Sequence, residues 1–414
     1  MKMKKIVIVG GGAAGLKAAC TAGYRYRNGG AEITLVEKNE KCGRKLMITG
    51  KGRCNVTNHC DLDTLMANMT RNGKFLYSAF SGFLPQDTMT FFESLGVPLK
   101  IERGNRVFPV SDKASDIVDA LVKAVKANQI RLLHGTAAHI LTDNGSVTGV
   151  QLSNGESLPA DCVILATGGK SYPLTGSTGD GYRMAAELGH TVTPLLPSLV
   201  PLTAHEGFCS RLAGLSLKNV TLSVFEEGKP KPIFKELGEM LFTHTGISGP
   251  LVLSASAHMR KMGQKGYTAV IDLKPALTEE QLDHRILRDF TENKNRDFAN
   301  ALDKLLPKSL IPVVISLAQI DPHTKVNQIS REQRKTLIKV MKELTLHITG
   351  FAPIEEAVIT SGGIAVKEIR PATMESKLIQ GLYFAGELID VDAYTGGFNL
   401  QIAFSTGFAA GTSV

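Results

Sequence analysis

The chain begins with a strand-like run of β-branched residues that leads directly into a glycine turn and an alanine-rich helix. Residues 4–19 read KKIVIVGGGAAGLKAA, with four consecutive β-branched residues at positions 6–9. A short apolar run of this kind predicts a buried strand, and the alanines beyond the glycines favour a helix. A second strand-like run, EITLVE, ends at Glu37. The pattern predicts that the chain opens with a strand, a bare turn, a helix and a second strand.

The middle of the first part of the chain predicts one amphipathic helix and several short strands. Residues 111–129, SDKASDIVDALVKAVKANQ, place Ile117, Leu121, Val122 and Val125 on one face of a helix. The stretch after residue 131 is broken by DNG and SNGE, which are turn sequences and predict a small antiparallel meander. CVILATGG, residues 162–169, predicts a buried strand that ends in another glycine turn.

The pattern changes at about residue 193 and returns near the end of the chain. Residues 217–234 alternate like a hairpin or a barrel segment, and two later helices begin with the capping boxes Thr278 with Gln281 and Ser330 with Gln333. The tail, from residue 380, is again strand, glycine turn and helix. We therefore expect an α/β protein with a discontinuous first domain, 1–192 and 355–414, and an inserted β-barrel and helical domain, 193–354.

Length and composition are those of a globular protein. The chain has 414 residues, 43% hydrophobic and 21% charged, which is enough for two or three domains. No apolar run approaches the roughly 20 residues of a membrane span, and the opening MKMKK is followed by too short an apolar stretch for a signal peptide. The six cysteines form no C-x-x-C pair, so we expect reduced thiols and a cytoplasmic protein. Cys54, His59 and Cys60 lack a fourth metal ligand, so we expect no metal.

The net charge of +8 has two interpretations. It could indicate nucleic-acid binding, but no RNA-recognition, zinc-finger or helix-turn-helix signature accompanies it. The densest basic stretch, GRKLMITGKGRCN at residues 43–55, mixes cations with glycines, as a loop along an anionic cofactor would. We therefore expect an anionic small-molecule ligand and neither a nucleic acid nor a membrane as partner.

The first glycine turn predicts a dinucleotide site. Gly10, Gly12 and Gly15 fit G-x-G-x-x-G directly after a strand and at the start of a helix. Such a turn lets the backbone approach a pyrophosphate, which the helix N-terminus then attracts. Glu37 stands near the offset of about 20 residues expected for the acid that binds a ribose hydroxyl. An acid there favours FAD or NAD over NADP, and the motif alone does not choose between the first two.

The tail favours FAD. GLYFAGE predicts a strand that ends at Gly386 and Glu387, and Gly396 and Gly397 precede the helical stretch FNLQIAFSTGFAAG. FAD is long enough to need a second surface for its ribityl chain and ring. An acid at Glu387 can accept a ribityl hydroxyl, and a helix that begins after Gly397 can stabilise negative charge on the reduced ring.

These stretches together resemble one family. IVIVGGGAAG, EKNEKCGRKLMITGKGRCNVTN, VILATGGKSYPLTGSTGDGY, LFTHTGISGP and GLYFAGELIDVDAYTGGFNLQIAFSTG are similar, in the same order, to the BaiN/RdsA family of FAD-dependent oxidoreductases. The resemblance extends over nearly the whole chain. It implies a Rossmann-like FAD-binding domain of the two-dinucleotide-binding flavoprotein type, assembled from both chain ends and interrupted by a β-barrel and helical insert.

The resemblance also implies a set of cofactor residues. The pyrophosphate would lie on Gly10, Gly12, Ala13, Ala14 and Gly15, and the adenosine ribose on Glu37 and Lys38. The flavin would be lined by Arg44, Lys45, Gly52, Arg53, Cys54 and Asn55, with a backbone contact near adenine at Ala138. Thr167, Gly168 and Gly169 would close over the dinucleotide. Gly386 and Glu387 would meet the ribityl chain, and Gly397, Phe398, Asn399 and Leu400 the ring.

The activity that the resemblance implies is reduction of a conjugated double bond in 3-oxo bile-acid intermediates, the 3-dehydro-bile acid Δ4,6-reductase reaction. Hydride would pass through flavin N5, and the substrate would meet polar groups of the insert, for which Thr243, His244 and Ser248 are the first candidates. Lys51 and Tyr394, outside the insert, are further polar candidates. No second nucleotide motif follows a strand, so NAD(P)H would be a transient co-substrate. An oxidase of a small amine or ketone and an RNA-modifying flavoprotein are the alternatives.

Overall fold

The computed structural model describes residues 3–414 and divides them into two compact units. The first unit contains the described residues up to Ser198 together with Ile354–Val414, and the second contains Leu199–Pro353. The boundary expected from the sequence lay at 192/193. The first unit continues to Ser198 because residues 196–198 form a strand that pairs with residues 359–361.

The strands, numbered in chain order, are β1 (Lys4–Val9), β2 (Ala31–Glu37), β3 (Thr57–Asn58), β4 (Met69–Arg71), β5 (Leu99–Glu102), β6 (Arg106–Pro109), β7 (Arg131–His134), β8 (Ala137–Asp143), β9 (Ser146–Leu152), β10 (Ser157–Pro159), β11 (Cys162–Leu165), β12 (Leu196–Ser198), β13 (Leu202–Ala204), β14 (Ser216–Glu226), β15 (Phe234–Phe242), β16 (Gly246–Ser248), β17 (Tyr267–Asp272), β18 (Leu344–Phe351), β19 (Ile359–Ser361), β20 (Leu382–Phe384) and β21 (Asp392–Ala393).

The α-helices are α1 (Ala13–Arg25), α2 (Arg44–Ile48), α3 (Leu62–Ala67), α4 (Gly73–Gly82), α5 (Pro85–Ser94), α6 (Ala114–Ala127), α7 (Asp180–Glu187), α8 (Phe208–Arg211), α9 (Pro250–Ser256), α10 (Glu279–Glu292), α11 (Phe298–Ala301), α12 (Ile311–Ala318), α13 (Arg331–Lys342) and α14 (Phe398–Ser413).

A five-stranded parallel sheet is the centre of the first unit. Its strand order is β20-β11-β1-β2-β7. In the middle strands β1 and β11, the apolar residues 6–9 and 162–165 are almost fully buried, as expected where helices cover both faces of a parallel sheet. Helices α1 and α14 pack against each other in this unit, so the front and the tail of the chain share one core. The Rossmann-like fold expected from the sequence is confirmed.

Most of the elements expected in the first unit are present. The helix expected at 111–129 is α6, and the meander consists of β10-β9-β8. The strand β7, expected as part of the meander, instead extends the parallel sheet next to β2. A further antiparallel sheet, β3-β6-β5, was not expected. Its hairpin turns at Gly104 and Asn105, both with positive φ.

The second unit is a closed barrel with helices. Six antiparallel strands close in the order β13-β16-β15-β14-β17-β18, and the hairpin expected at 217–234 supplies β14 and the start of β15. Both capping boxes are confirmed: Thr278 caps α10 and Ser330 caps α13, each with its glutamine returning a hydrogen bond. The unit has its own core of aliphatic and aromatic residues.

The described residues contain neither a helix that could span a membrane nor a group of side chains that could hold a metal ion. None of the helices within residues 3–414 is long and apolar enough to span a bilayer. All six cysteines are free thiols, and no group of three or more His, Cys, Asp or Glu side chains in this range is placed to hold a metal ion.

Candidate functional site

The carboxyl ends of four parallel strands define the candidate site. From the central strand β1 the chain builds outwards through β2 to β7, and then returns to the other side of β1 with β11 and β20. The direction of building therefore reverses between β1 and β11. In open parallel sheets, ligands bind at such a reversal, beyond the carboxyl ends of the strands. The loops after β1, β2, β11 and β20 hold most of the residues expected to bind the cofactor.

The turn after β1 is shaped by two close approaches and one gap. Gly10 has a φ of 104°, and a Cβ there would lie 2.5 Å from the carbonyl oxygen of Ala166. A Cβ on Gly15 would lie 1.8 Å from the carbonyl oxygen of Gly10. A Cβ on Gly12, in contrast, would have no neighbouring atom within 4 Å. Gly10 and Gly15 are therefore required by the packing of the protein, whereas Gly12 faces open space.

That open space lies at the N-terminus of α1. Gly12 is the N-cap residue of the helix and provides no side-chain cap. The first N–H groups of an α-helix have no acceptor within the helix, and together with the helix dipole they attract an anion. Ala13 and Ala14 begin this helix, so the predicted pyrophosphate residues surround an uncapped helix end beside an open gap.

Glu37, at the end of β2, holds the turn in place. One carboxylate oxygen accepts a hydrogen bond of 2.6 Å from the backbone N–H of Gly11, and the other accepts one of 2.8 Å from the N–H of Asn39. Asn39 also donates from its side-chain amide to the same carboxylate, at 2.7 Å. Two carboxylate oxygens can accept about four hydrogen bonds, so one position is left for a ligand hydroxyl.

Lys38, expected on the ribose, is engaged within the protein. Its ammonium group lies 2.6 Å from the carboxylate of Asp180, at the start of α7, and also contacts Thr178. Burial acts to raise the pKa of Asp180, but the hydrogen bond and the charge of Lys38 outweigh it and the pKa is lowered. This ion pair attaches the loop before α7 to the end of β2.

The loop after β11 contributes one unsatisfied polar atom. The hydroxyl of Thr167 is buried and has no hydrogen-bond partner among the described residues. Gly168 has a positive φ, and the nearest atom to a Cβ placed there is the hydroxyl oxygen of the buried Ser177, at 3.3 Å. Gly169 packs against Thr360 and Glu387 so closely that it has no room for a side chain. An unpartnered buried hydroxyl at a strand end is typical of a site that is completed by a ligand.

Glu387, after β20, is the centre of a polar network. Its carboxylate accepts hydrogen bonds from the ammonium group of Lys45 at 2.8 Å, the backbone N–H of Thr360 at 2.8 Å and the hydroxyl of Ser171 at 3.2 Å. Lys45 also donates to Ser171, at 2.6 Å. The structure thus brings together Lys45 and Glu387, which are far apart in sequence. Ser171 and Thr360 were not expected from the sequence.

The N-terminus of α14 is fixed by its own side chains. Gly397 has a φ of 102°, and a Cβ there would collide with the backbone of Thr57. The side-chain amide of Asn399 donates to the carbonyl oxygens of Ala393 and Tyr394, and its oxygen accepts from the N–H of Ala393. Asn399 is thus used to position the preceding loop, while the first N–H groups of the helix remain available. Phe398 is buried, and Leu400 is half-buried.

The basic loop at 43–55 divides into exposed and buried parts. Arg53 forms ion pairs with Glu102 and Asp112, and its guanidinium group lies 4.1 Å from the ring centre of Phe108. Arg44 donates to Asn39, and Gly52 is exposed.

Two residues at the end of the loop, Cys54 and Asn55, have buried polar atoms. Cys54 is fully buried in a left-handed conformation, and burial raises the pKa of its thiol to about 12. The side-chain oxygen of Asn55 is buried and has no partner among residues 3–414.

The remaining candidates are Ala138, Gly386 and three residues of the second unit. Ala138, in β8, has its carbonyl oxygen occupied by a hydrogen bond of 2.8 Å from Arg183. In the second unit, the hydroxyl of Thr243 accepts a hydrogen bond of 3.1 Å from Gly246, so this threonine closes the turn before β16. His244 is exposed in that turn, and Ser248 is half-buried at the end of β16. Gly386 donates its N–H to Thr406 of α14.

These observations fit a dinucleotide cofactor. The gap at Gly12, the uncapped start of α1 and the unpartnered atoms of Thr167 and Asn55 belong to the loops around the β1/β11 reversal or to the basic loop that follows β2. A diphosphate with several hydroxyl and carbonyl groups is the kind of ligand that has complementary hydrogen-bonding groups for such atoms.

Fold and site define the class of the protein, and sequence comparison defines its family. The family model described as "HI0933-like protein Rossmann domain" matches residues 4–413. The chain therefore belongs to this family, which confirms the resemblance described above, and the protein is an FAD-dependent oxidoreductase.

Named relatives cover the whole chain. It is 31% identical over 411 residues to the 3-dehydro-bile acid delta(4,6)-reductase of Clostridium scindens, covering 99% of this chain and 98% of the relative. It is 31% identical over 408 residues to the ribosomal RNA dihydrouridine synthase of Escherichia coli, covering 97% and 96%. Among solved structures, the Sdh1 complex of Mycobacterium smegmatis in its apo form aligns with 100% of this chain and 68% of its own, at 17% identity and a TM-score of 0.47.

Proposed function

We propose that this protein uses FAD and NAD(P)H to reduce a carbon–carbon double bond conjugated to a ketone, with a 3-oxo steroid of the bile-acid type as the first candidate substrate. The observation that supports it most directly is the gap at Gly12 beside the uncapped N-terminus of α1, at the reversal point of the sheet. The reductase relative from Clostridium scindens supports the choice of substrate class.

The residues around the crevice would hold the cofactor in three parts. The pyrophosphate would lie on the turn from Gly10 to Gly15, and the adenosine ribose would use the remaining acceptor position of Glu37. The ribityl chain would pass Glu387. The ring would lie between the basic loop, at Lys45 and Asn55, and the N-terminus of α14.

When bound, FAD supplies hydride transfer through its N5 atom. Reduction of a conjugated ketone also needs a hydrogen-bond donor to the carbonyl oxygen and a proton for the α-carbon. In the second unit, His244 and Ser248 would supply these groups. Thr243 would position the turn, since its hydroxyl already accepts from Gly246. Lys51 and Tyr394 are the candidates in the first unit.

Anaerobic reduction of the purified protein tests the proposal. We expect a yellow protein whose flavin absorption is bleached by NADH or NADPH and returns on addition of a 3-oxo-Δ4 steroid, with formation of the saturated ketone. Failure of both nicotinamides to bleach the flavin would contradict the reductase. Rapid peroxide formation with a small amine or ketone would instead indicate an oxidase.

The net charge and one named relative favour a second candidate, reduction of uridine in RNA. The chain carries a charge of +8, and the Escherichia coli relative is a ribosomal RNA dihydrouridine synthase. The double bond of uracil is also conjugated to a carbonyl, so the same hydride chemistry would serve both substrates. RNA re-oxidising the reduced protein, with binding that weakens as salt rises, would establish this candidate over the steroid.

A further inference from the structure

The hairpin formed by β5 and β6 ends beside the N-terminus of α14. The side-chain amide of the buried Asn58 donates hydrogen bonds to the carbonyl oxygens of Gly104, at the hairpin tip, and Gly396, at 3.0 and 3.1 Å. Gly396 lies directly before Gly397, the N-cap residue of α14. One amide nitrogen therefore holds the hairpin tip next to the turn that leads into this helix, at the edge of the candidate site.

The same hairpin packs on the basic loop at 43–55. Strand β6 pairs with β3, which follows this loop in the chain. A Cβ placed on Gly50 would lie 3.2 Å from the ring of Phe108 in β6, and the guanidinium group of Arg53 lies over the same ring. The hairpin thus contacts both the basic loop and the turn before α14, which the proposed function places around the flavin ring.

The acids around this hairpin are already paired with other cations. Arg53 forms ion pairs with Glu102 and Asp112. The ammonium group of Lys100 lies 2.7 Å from the carboxylate of Asp112. Arg106, which is opposite Glu102 in the register of β5 and β6, forms no ion pair with any residue that the structure describes. The hairpin therefore carries a positive charge that no described carboxylate balances.

The guanidinium group of Arg106 is held in place through one of its five N–H groups. Its Nε donates to the carbonyl oxygen of Arg103 at 3.0 Å, and its central carbon lies 5.9 Å from the ring centre of Phe108. The side chain is exposed, and within residues 3–414 its other N–H groups have no acceptor. A guanidinium fork of this kind matches the two oxygens of a carboxylate or phosphate.

The ligand that fits Arg106 is therefore an anionic group at the edge of the site. We propose that Arg106 binds the carboxylate of the substrate, so that it selects acidic over neutral 3-oxo steroids. In a steroid acid of the bile-acid type, the carboxylate lies at the opposite end of the molecule from the 3-keto group. One molecule can thus place its anion at the edge while its ketone enters the crevice. The inference rests on the proposed function, because it requires a steroid substrate.

Two ligands that differ by one charge and one methyl group test the role of Arg106. The FAD-loaded protein, without a nicotinamide, is mixed with a 3-oxo-Δ4 steroid acid of the bile-acid type or with its methyl ester, and binding is measured by equilibrium dialysis. We expect the acid to bind about 5-fold more tightly or better, as one well-aligned exposed ion pair allows. No turnover is involved, so the readout does not depend on the hydride donor.

Two arginine variants locate the effect. In Arg106→Gln the charge is absent, so the ratio of the two dissociation constants should fall to about 1. The control is Arg27→Gln, because Arg27 is also exposed and its guanidinium group also lies near an aromatic ring, that of Tyr24, at 4.5 Å. Arg27 follows the C-terminal end of α1, whereas the candidate site lies at the N-terminus of this helix, so its variant should keep the wild-type ratio. Because the ratio is internal to each protein, partial misfolding of a variant does not change it.

The outcomes separate this inference from the proposed function. Equal binding of acid and ester by the wild type, or an unchanged ratio in Arg106→Gln, would overturn the role of Arg106 and leave the reductase intact. Binding of neither compound by the wild type would overturn both this inference and the steroid as substrate. Equal binding of the two steroids, with weaker binding of single-stranded RNA by Arg106→Gln, would assign this arginine to an RNA phosphate instead.

Discussion

Gly12 and Gly15 stand three residues apart in one motif and have different physical roles. Gly15 is required because a Cβ would overlap the carbonyl oxygen of Gly10, whereas Gly12 faces a gap. The motif alone does not distinguish a glycine that the fold needs from one that a ligand needs. The space around each glycine does.

This difference gives a matched pair of variants. Gly12→Val should leave the unfolding free energy of the cofactor-free protein within about 1 kcal/mol of the wild type, since φ at Gly12 is −83° and the space is open. It should weaken FAD binding at least about 100-fold, because the side chain fills the gap. Gly15→Val should instead destabilise the cofactor-free protein. Urea unfolding and flavin fluorescence titration measure the two effects, and unimpaired FAD binding by Gly12→Val would contradict the phosphate site.

His190 makes stability depend on pH. Its side chain is fully buried, its Nε2 lies 2.9 Å from the hydroxyl of Ser376, and its ring packs on Phe384. Burial lowers the pKa of His190, and the nearby carboxylate of Glu368 opposes the shift only in part. The folded protein therefore disfavours protonation at this site, whereas the unfolded chain takes up a proton near pH 6.5.

Protonation of His190 lowers the stability of the folded protein at acid pH. The stability contributed by neutral His190 is complete above about pH 6.5 and is lost as the pH falls from there through the lower folded-state pKa. We expect the unfolding free energy to fall by up to about 1.4 kcal/mol per pH unit in that window. Urea unfolding at pH 7.5 and 5.5 measures it. The variant His190→Gln should lose this slope, and the exposed control His134→Asn should keep it; equal slopes in both would refute the assignment.

At single residues, the sequence does not reveal which side chains pair with each other in the folded protein. The resemblance assigned Lys38 and Arg53 to the cofactor. In the structure, Lys38 pairs with Asp180, 142 positions away, and Arg53 pairs with Glu102 and Asp112, 49 and 59 positions away. Such pairings depend on which loops the fold brings together, and residue type and local spacing do not encode this.

At the level of elements, patterns among neighbouring residues predicted helices and strands correctly. They did not predict which strands pair when those strands are distant in sequence. The strand β1, the helix α6 and both capping boxes are determined by neighbouring residues, and all were predicted. The strand β7 was assigned to the wrong sheet, because its sequence fits the meander as well as the parallel sheet. The hairpin β5-β6 was missed, although Gly104 and Asn105 supply its turn.

The contact between α1 and α14 depends on small residues. A Cβ on Gly407 would lie 2.5 Å from the carbonyl oxygen of Ala14, and one on Gly411 would lie 2.5 Å from that of Ala18. The two helices therefore approach backbone to backbone, and α14 supports the helix whose N-terminus forms the phosphate site.

Widening this contact should affect both stability and binding. Gly407→Val should lower the unfolding free energy by about 1–3 kcal/mol or more through overpacking, and should weaken FAD binding. Gly82→Ala, at the end of α4, is the matched control, because its Cβ would have only an ordinary contact of 3.9 Å with Phe408. Thermal unfolding with and without FAD compares the two. A fully stable Gly407→Val protein would show that the close contact is dispensable.

At the scale of the whole molecule, the described residues form two hydrophobic cores, one in each unit. The pattern of the sequence changes near residue 193, where a new alternation of polar and apolar residues begins. The exact boundary depended on the pairing of β12 with β19, which is not visible in local sequence.

Because each unit has its own hydrophobic core, we expect two unfolding transitions in scanning calorimetry. FAD at about 100 times its dissociation constant should stabilise the first unit by about 2.7 kcal/mol. The midpoint temperature of one transition should therefore rise, and that of the other should stay nearly unchanged. Scanning calorimetry of the cofactor-free and FAD-loaded protein measures this. An equal rise in the midpoint temperatures of both transitions would show that the units unfold together or that the ligand contacts both.

The pairing of α1 with α14 also has a consequence for synthesis on the ribosome. The two helices are separated in sequence by the whole second unit, and translation proceeds at about 5–20 residues per second, so α1 emerges roughly 20 to 80 seconds before its partner. During that interval the small-residue face of α1 is left without its cover. We therefore expect nascent chains of this protein to expose this apolar surface of α1 until α14 has been synthesised.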